Sequence, residues 1–181
     1  MLNQISIKLG DKLPKFNLLA VDGKNYSQAS FSSSKILVVI FTCNHCPYVQ
    51  AYEDRLIKLQ EEYKNKGVIF IAVNSNDEKN YPEDGYENMI KRAEYKKYNF
   101  LYLRDKTQEV ARMFGATYTP EVFVFDQNRT LKYHGRIDDN WKDPGKVTRQ
   151  DLKETIELLL QDKPVDFAET QAIGCTVKWS N

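Results

Sequence analysis

The apolar run Ile36-Leu37-Val38-Val39-Ile40-Phe41 stops at Thr42-Cys43-Asn44-His45-Cys46-Pro47. There an amphipathic pattern begins, with Val49, Tyr52, Leu56, Leu59 and Tyr63 recurring at three- and four-residue steps. A buried strand that ends in C-x-x-C and hands over to a helix leaves few folds open, because the two thiols must sit at a strand-to-helix junction. N–H groups at a helix start lack intrahelical partners and, with the helix dipole, favour negative charge. Cys43 is therefore expected to be the acidic, nucleophilic thiol, and Cys46, one turn into the helix, the more buried resolving thiol. Pro47 suits a first-turn position, where its missing N–H would have had no partner. His45, when protonated, would stabilise a Cys43 thiolate and favour the dithiol over the disulfide.

After Gly67 a second buried run, Val68-Ile69-Phe70-Ile71-Ala72-Val73, completes a β-α-β unit with a parallel, right-handed crossover. The polar stretch 74–85 is a loop at the C-terminal end of that strand and should share a rim with Cys43. The pattern then predicts a helix over 86–98, a strand at 101–103 and a helix over 108–114. An antiparallel pair at 121–126 and 130–137 follows, and a last helix runs over 149–160 with Thr148 as N-cap. Upstream, residues 16–21 and 25–26 flank Asp22-Gly23 as a hairpin. The expected architecture is α/β: one domain over 1–181, a central mixed sheet flanked by helices, an N-terminal hairpin, and a tail from about residue 164. The apolar residues of Ile173-Gly174-Cys175-Thr176-Val177-Lys178-Trp179 imply that this tail docks on the domain.

With 26 Lys+Arg against 25 Asp+Glu and no block of like charge, nothing points to nucleic acid or an anionic membrane. Residues 1–8 lack a basic start followed by an apolar stretch, and the longest apolar run is too short to span a bilayer, so the sequence reads as cytoplasmic. Three cysteines do not make a secreted disulfide framework. A zinc site would have to draw on His45, His134 and Cys175 at unsuitable spacing, so neither metal nor cofactor is expected. Cys175 has two readings: a small buried apolar thiol, or a third redox thiol forming an alternative disulfide with Cys43.

The order β-α-β-α-β-β-α around a C-x-x-C, with Tyr118-Thr119-Pro120 leading into a strand, resembles the thioredoxin fold. The segments 41–49, 72–77, 119–126, 135–139 and 174–179 are similar to bacterial thioredoxin-family proteins of the redoxin branch, often labelled peroxiredoxin-like. The resemblance implies a cis Thr119–Pro120 bond facing Cys43 and Cys46, with an extended substrate adding as a strand beside Thr119, and with Asn44 and Thr42 also near the substrate. It implies a thiol-disulfide oxidoreductase acting on protein or small-molecule disulfides, recycled by a thiol-based electron donor. A peroxidase with an antioxidant role and a redox-sensing interaction protein are the alternatives. The chain departs from thioredoxin in having Thr42 rather than Trp before the first cysteine and no acid in the strand 36–41. The proton acceptor for the buried thiol is thus unassigned: Glu121, next to Pro120, and loop acids such as Asp77 and Asp138 are candidates, each of which reads equally as a solvated surface charge. The hydroxyl and proline that precede a peroxidatic cysteine by three and seven residues are replaced by Ile40 and Ile36 for Cys43, and by Cys43 and Val39 for Cys46.

Overall fold

Strand β3 (Ile36–Thr42) is buried at every residue because its alternating side chains enter two different cores. Leu37, Val39 and Phe41 face one side with Phe123, Phe125 and Phe114. Ile36, Val38 and Ile40 face the other with Tyr52, Leu56, Leu152 and Ile156. The computed structural model describes residues 6–180; residues 1–5, part of the N-terminal stretch read above as free of a leader pattern, and residue 181 lie outside the described residues.

Around β3 the chain builds a hairpin, β1 (Asn17–Ala20) and β2 (Asn25–Ser27), then β4 (Val68–Asn74), β5 (Leu101–Arg104), β7 (Glu121–Phe125) and β8 (Leu131–Gly135), with the short β6 (Tyr118–Thr119) preceding β7. The sheet order is β2-β1-β5-β4-β3-β7-β8. β3, β4 and β5 are parallel, β7 and β8 antiparallel, and β1 joins the β5 edge antiparallel. This is the expected thioredoxin fold with its N-terminal hairpin. Helices α1 (Pro47–Tyr63) and α4 (Asp151–Leu160) cover one face, α3 (Glu109–Phe114) covers the other, and α2 (Tyr86–Lys96) places Met89 against Ala72 and Tyr102.

Two local expectations are corrected. Helix α4 begins at Asp151 with Gln150 as N-cap; Thr148 instead donates its backbone N–H to Asp139 Oδ1 at 2.9 Å, and its hydroxyl to the same carboxylate. The tail does more than pack: it forms β9 (Cys175–Thr176), antiparallel to β6. Among the described residues no helix is long and apolar enough to cross a membrane.

Candidate active site

The C-terminal ends of β3 and β4 open on one rim, with Thr42 paired to Asn74 as the last step of the parallel ladder. On the other side of β3, Phe41 pairs with Glu121, which brings Pro120 beside the start of the C-x-x-C turn. The Thr119–Pro120 bond is cis, as expected. Cys43 Sγ lies 3.4 Å from Thr119 Oγ1, and Cys46 Sγ lies 3.3 Å from the Thr119 carbonyl oxygen. Thr119 thus touches both sulfurs. Thr42 is buried at the end of β3, one residue before Cys43.

The helix starts later than the sequence reading placed it. α1 begins at Pro47 and Cys46 is its N-cap, so Cys46 and not Cys43 stands at the first-turn N–H groups. The thiols share one charge accordingly. The hydrogen bond from Cys43 lowers Cys46 to about 5, and Cys175 and the Val49 amide reinforce it against the opposing effect of burial. The same Cys43–Cys46 hydrogen bond, followed by burial and the charge of Asp84, holds Cys43 well above the ordinary thiol range. Both shifts have this one contact as their largest cause and belong to the pair.

The third thiol is part of this cluster. Cys175 Sγ lies 2.8 Å from Cys46 Sγ, and its own value is pushed up to about 11 by burial and by Cys46. The sequence reading paired Cys175 with Cys43; the register Thr119↔Cys175 between β6 and β9 sets it against Cys46 instead.

His45 reaches the loop 75–85. Its ring stacks on Tyr81 with centroids 5.4 Å apart, and Nδ1 donates to Asp84 Oδ2 at 2.7 Å. Asp84 is fully buried, and it also accepts from the Asn44 amide at 2.6 Å and from Asn76 Nδ2 at 2.7 Å. One ring nitrogen of His45, one carboxylate oxygen of Asp84 and Cys43 Sγ lie within 4.8 Å of one another. These are ligand types a metal ion accepts, and both oxygens of Asp84 are already engaged by three donors. Asp84 was missed from sequence. The signal was present in the polar loop assigned to the same rim, yet nothing in its pattern separates Asp84 from Asp77 or Glu83.

Asn44 is an anchor of that loop rather than an open contact. It donates Nδ2 to the Glu83 carbonyl at 2.7 Å and accepts from the Tyr102 hydroxyl at 2.9 Å. Each of the three acids considered as proton acceptors is engaged by other groups. Glu121 is buried and accepts from the Thr117 and Tyr118 amides at 2.7 and 2.8 Å, with His134 Nε2 2.6 Å from its other oxygen. Asp138 receives the Tyr52 hydroxyl and Arg55 Nη1, each at 2.7 Å. Asp77 caps its own turn through Lys79 N and Asn80 Nδ2.

A family model described as Redoxin matches residues 8–156. The chain belongs to the redoxin family. Membership assigns it thiol redox chemistry of the general kind, disulfide exchange or peroxide reduction, and the match ends before the tail that carries Cys175. This redoxin is 40% identical to an uncharacterised conserved protein from Geobacillus kaustophilus, over 96% of this chain and 93% of that one, with a TM-score of 0.91. A hypothetical protein from Sinorhizobium meliloti is 35% identical over 97% and 96% of the two chains, also at a TM-score of 0.91. The thioredoxin domain of a thiol-disulfide oxidoreductase from Bacteroides vulgatus shares the fold at 17% identity, covering 86% of this chain and 99% of that one with a TM-score of 0.67. A search of curated proteins gave no significant match.

Proposed function

We propose that the protein is a thiol-disulfide oxidoreductase whose dithiol is Cys43 and Cys46. The observation that carries this reading is the shared placement of both sulfurs against Thr119, the residue before cis-Pro120 and part of β6, a strand that takes an extended segment as its partner, in this structure the chain's own β9. The Cys46 thiolate attacks one sulfur of a substrate disulfide, forming a mixed disulfide and releasing the first substrate thiolate. Cys43 then attacks Cys46 Sγ, closing the internal disulfide and releasing the second. Two electrons pass from the dithiol to the substrate. His45, held by Asp84, takes the Cys43 proton in that second step. Two thiols of a thiol-based electron donor regenerate the dithiol.

The test compares turnover of insulin disulfides with consumption of hydrogen peroxide under one glutathione system, for the wild type, Cys43→Ser and Cys46→Ser. Disulfide turnover should dominate and be lost in both variants, and the substrate should remain trapped on Cys46 in Cys43→Ser. Trapping on Cys43 in Cys46→Ser would restore the order of roles expected from sequence. Peroxide consumption faster than disulfide turnover would make the protein a peroxidase and end this reading.

A further inference from the structure

β9 occupies the place of the extended strand invoked above. Its residues pair with β6 in the register Tyr118↔Thr176 and Thr119↔Cys175, and the Val177 amide donates to the Thr117 carbonyl at 2.9 Å. Gly174 lies so close to the Thr119 carbonyl that a Cβ there would overlap it, so the backbone can approach cis-Pro120 only because this residue is glycine.

The tail is pinned on both sides of its thiol. Before it, the His134 amide donates to the Ala168 carbonyl at 2.9 Å and the Thr170 amide to the His134 carbonyl at 3.0 Å. After it, the Lys178 amide donates to Asn76 Oδ1 at 2.9 Å, its carbonyl accepts from the Asp77 amide at 2.8 Å, and Trp179 lies beneath the Arg112 guanidinium at 4.5 Å. A sulfur held this way has a high effective concentration at Cys46.

We infer that the tail is a substrate built into the chain: Cys175 is a third redox thiol that exchanges with the Cys43–Cys46 disulfide at Cys46, storing the oxidised protein as a Cys46–Cys175 bridge. The Cys175 thiolate attacks Cys46 Sγ. The Cys46–Cys175 bond forms, the Cys43–Cys46 bond breaks, and Cys43 departs as a thiolate that takes up the proton Cys175 released. No electrons are gained or lost in this exchange; the oxidation occurred earlier, when the dithiol reduced a substrate disulfide. The inference rests on the proposed oxidoreductase reading for that first oxidation. While the bridge stands, β9 stays in the groove and an extended substrate is excluded. Attack by a donor thiol on Cys46 or Cys175 reopens it.

The experiment equilibrates the wild type and Cys175→Ser in glutathione buffers from reducing to oxidising, quenches in acid, alkylates the free thiols and maps the bridges by mass. Insulin turnover is followed in the same buffers. The larger share of oxidised wild type is expected to carry Cys46–Cys175 with Cys43 alkylated, and Cys175→Ser should turn insulin over several-fold faster because its tail no longer closes covalently. Cys43–Cys46 alone, with Cys175 alkylated throughout and insulin turnover intact, overturns the inference and leaves the proposed function standing. A Cys46–Cys175 bridge without insulin turnover upholds the exchange and removes the reductase reading.

Discussion

At the scale of single residues the site is a matter of where one negative charge rests. A thiol ordinarily near 9.0 is lowered to about 5 at Cys46, chiefly by the Cys43 hydrogen bond. Because the folded value lies below the unfolded one, the stability tied to Cys46 is complete above about pH 9 and is lost as the pH falls through about 5. Cys43 has the opposite sign: above its ordinary 9.0 the unfolded chain ionises and the folded one resists, so stability declines there. The gap in urea midpoint between the reduced wild type and Cys46→Ser should therefore widen from pH 5 to pH 9. A gap that stays constant over that window would remove the thiolate from Cys46. Asp84→Asn addresses the proton rather than the charge. It leaves a carbonyl oxygen for one donor while setting an amide against others, at about 1–3 kcal/mol of stability. Resolution of the mixed disulfide should slow on the order of 100-fold or more. Rapid-quench single turnover reads this directly, since the mixed disulfide would accumulate; an unchanged resolution rate would take Asp84 and His45 out of the proton path.

At the scale of elements, the legible parts of the fold were those with a periodicity of their own. Strands β3 and β4 announced themselves as continuous apolar runs, α1 by its three- and four-residue steps, and the N-terminal hairpin by Asp22-Gly23. β9 had no such signal. Two residues long, it exists because the amides and carbonyls of β6 need partners and the tail supplies them, which is a fact about a distant strand and not about Cys175-Thr176. The same holds for Asp84: its role comes from Asn44, His45 and Asn76 converging on it across about forty residues of chain or fewer. Glu121 shows how such long-range demands set element geometry. One of its oxygens receives the amides of Thr117 and Tyr118 and so fixes the strand that both Cys175 and a substrate would use. Glu121→Ala leaves two amides without their acceptor, an expected loss of about 1–3 kcal/mol for each that stays buried. It should also speed hydrogen exchange at Val177, whose partner is the Thr117 carbonyl. Protection unchanged at Val177 would mean that β6 is held in place without Glu121.

On the scale of the whole molecule, stability and chemistry draw on different parts of one sheet. The interior face is an aromatic cluster: Phe123 meets Phe114 edge-on at 5.1 Å and Phe41 at 5.7 Å, and stacks on His134 at 4.3 Å. Phe41 is one residue before Thr42 and two before Cys43, so packing in this cluster fixes the end of β3 from which the dithiol turn departs. His134 in turn holds Glu121. Phe123→Ala should therefore cost the full price of a buried aromatic, about 3–5 kcal/mol in urea unfolding with an unchanged slope. It should also loosen the site, because the strand end and Glu121 lose a common support. Asp84→Asn, lodged in a loop at the rim, should show the reverse balance, a smaller stability loss with a larger kinetic one. Measured side by side, the two variants separate support of the strand end from the proposed proton path at the rim. If Phe123→Ala lowered stability with resolution and trapping rates untouched, the strand end would be set by the sheet ladder alone, and the aromatic cluster would have no part in placing Cys43.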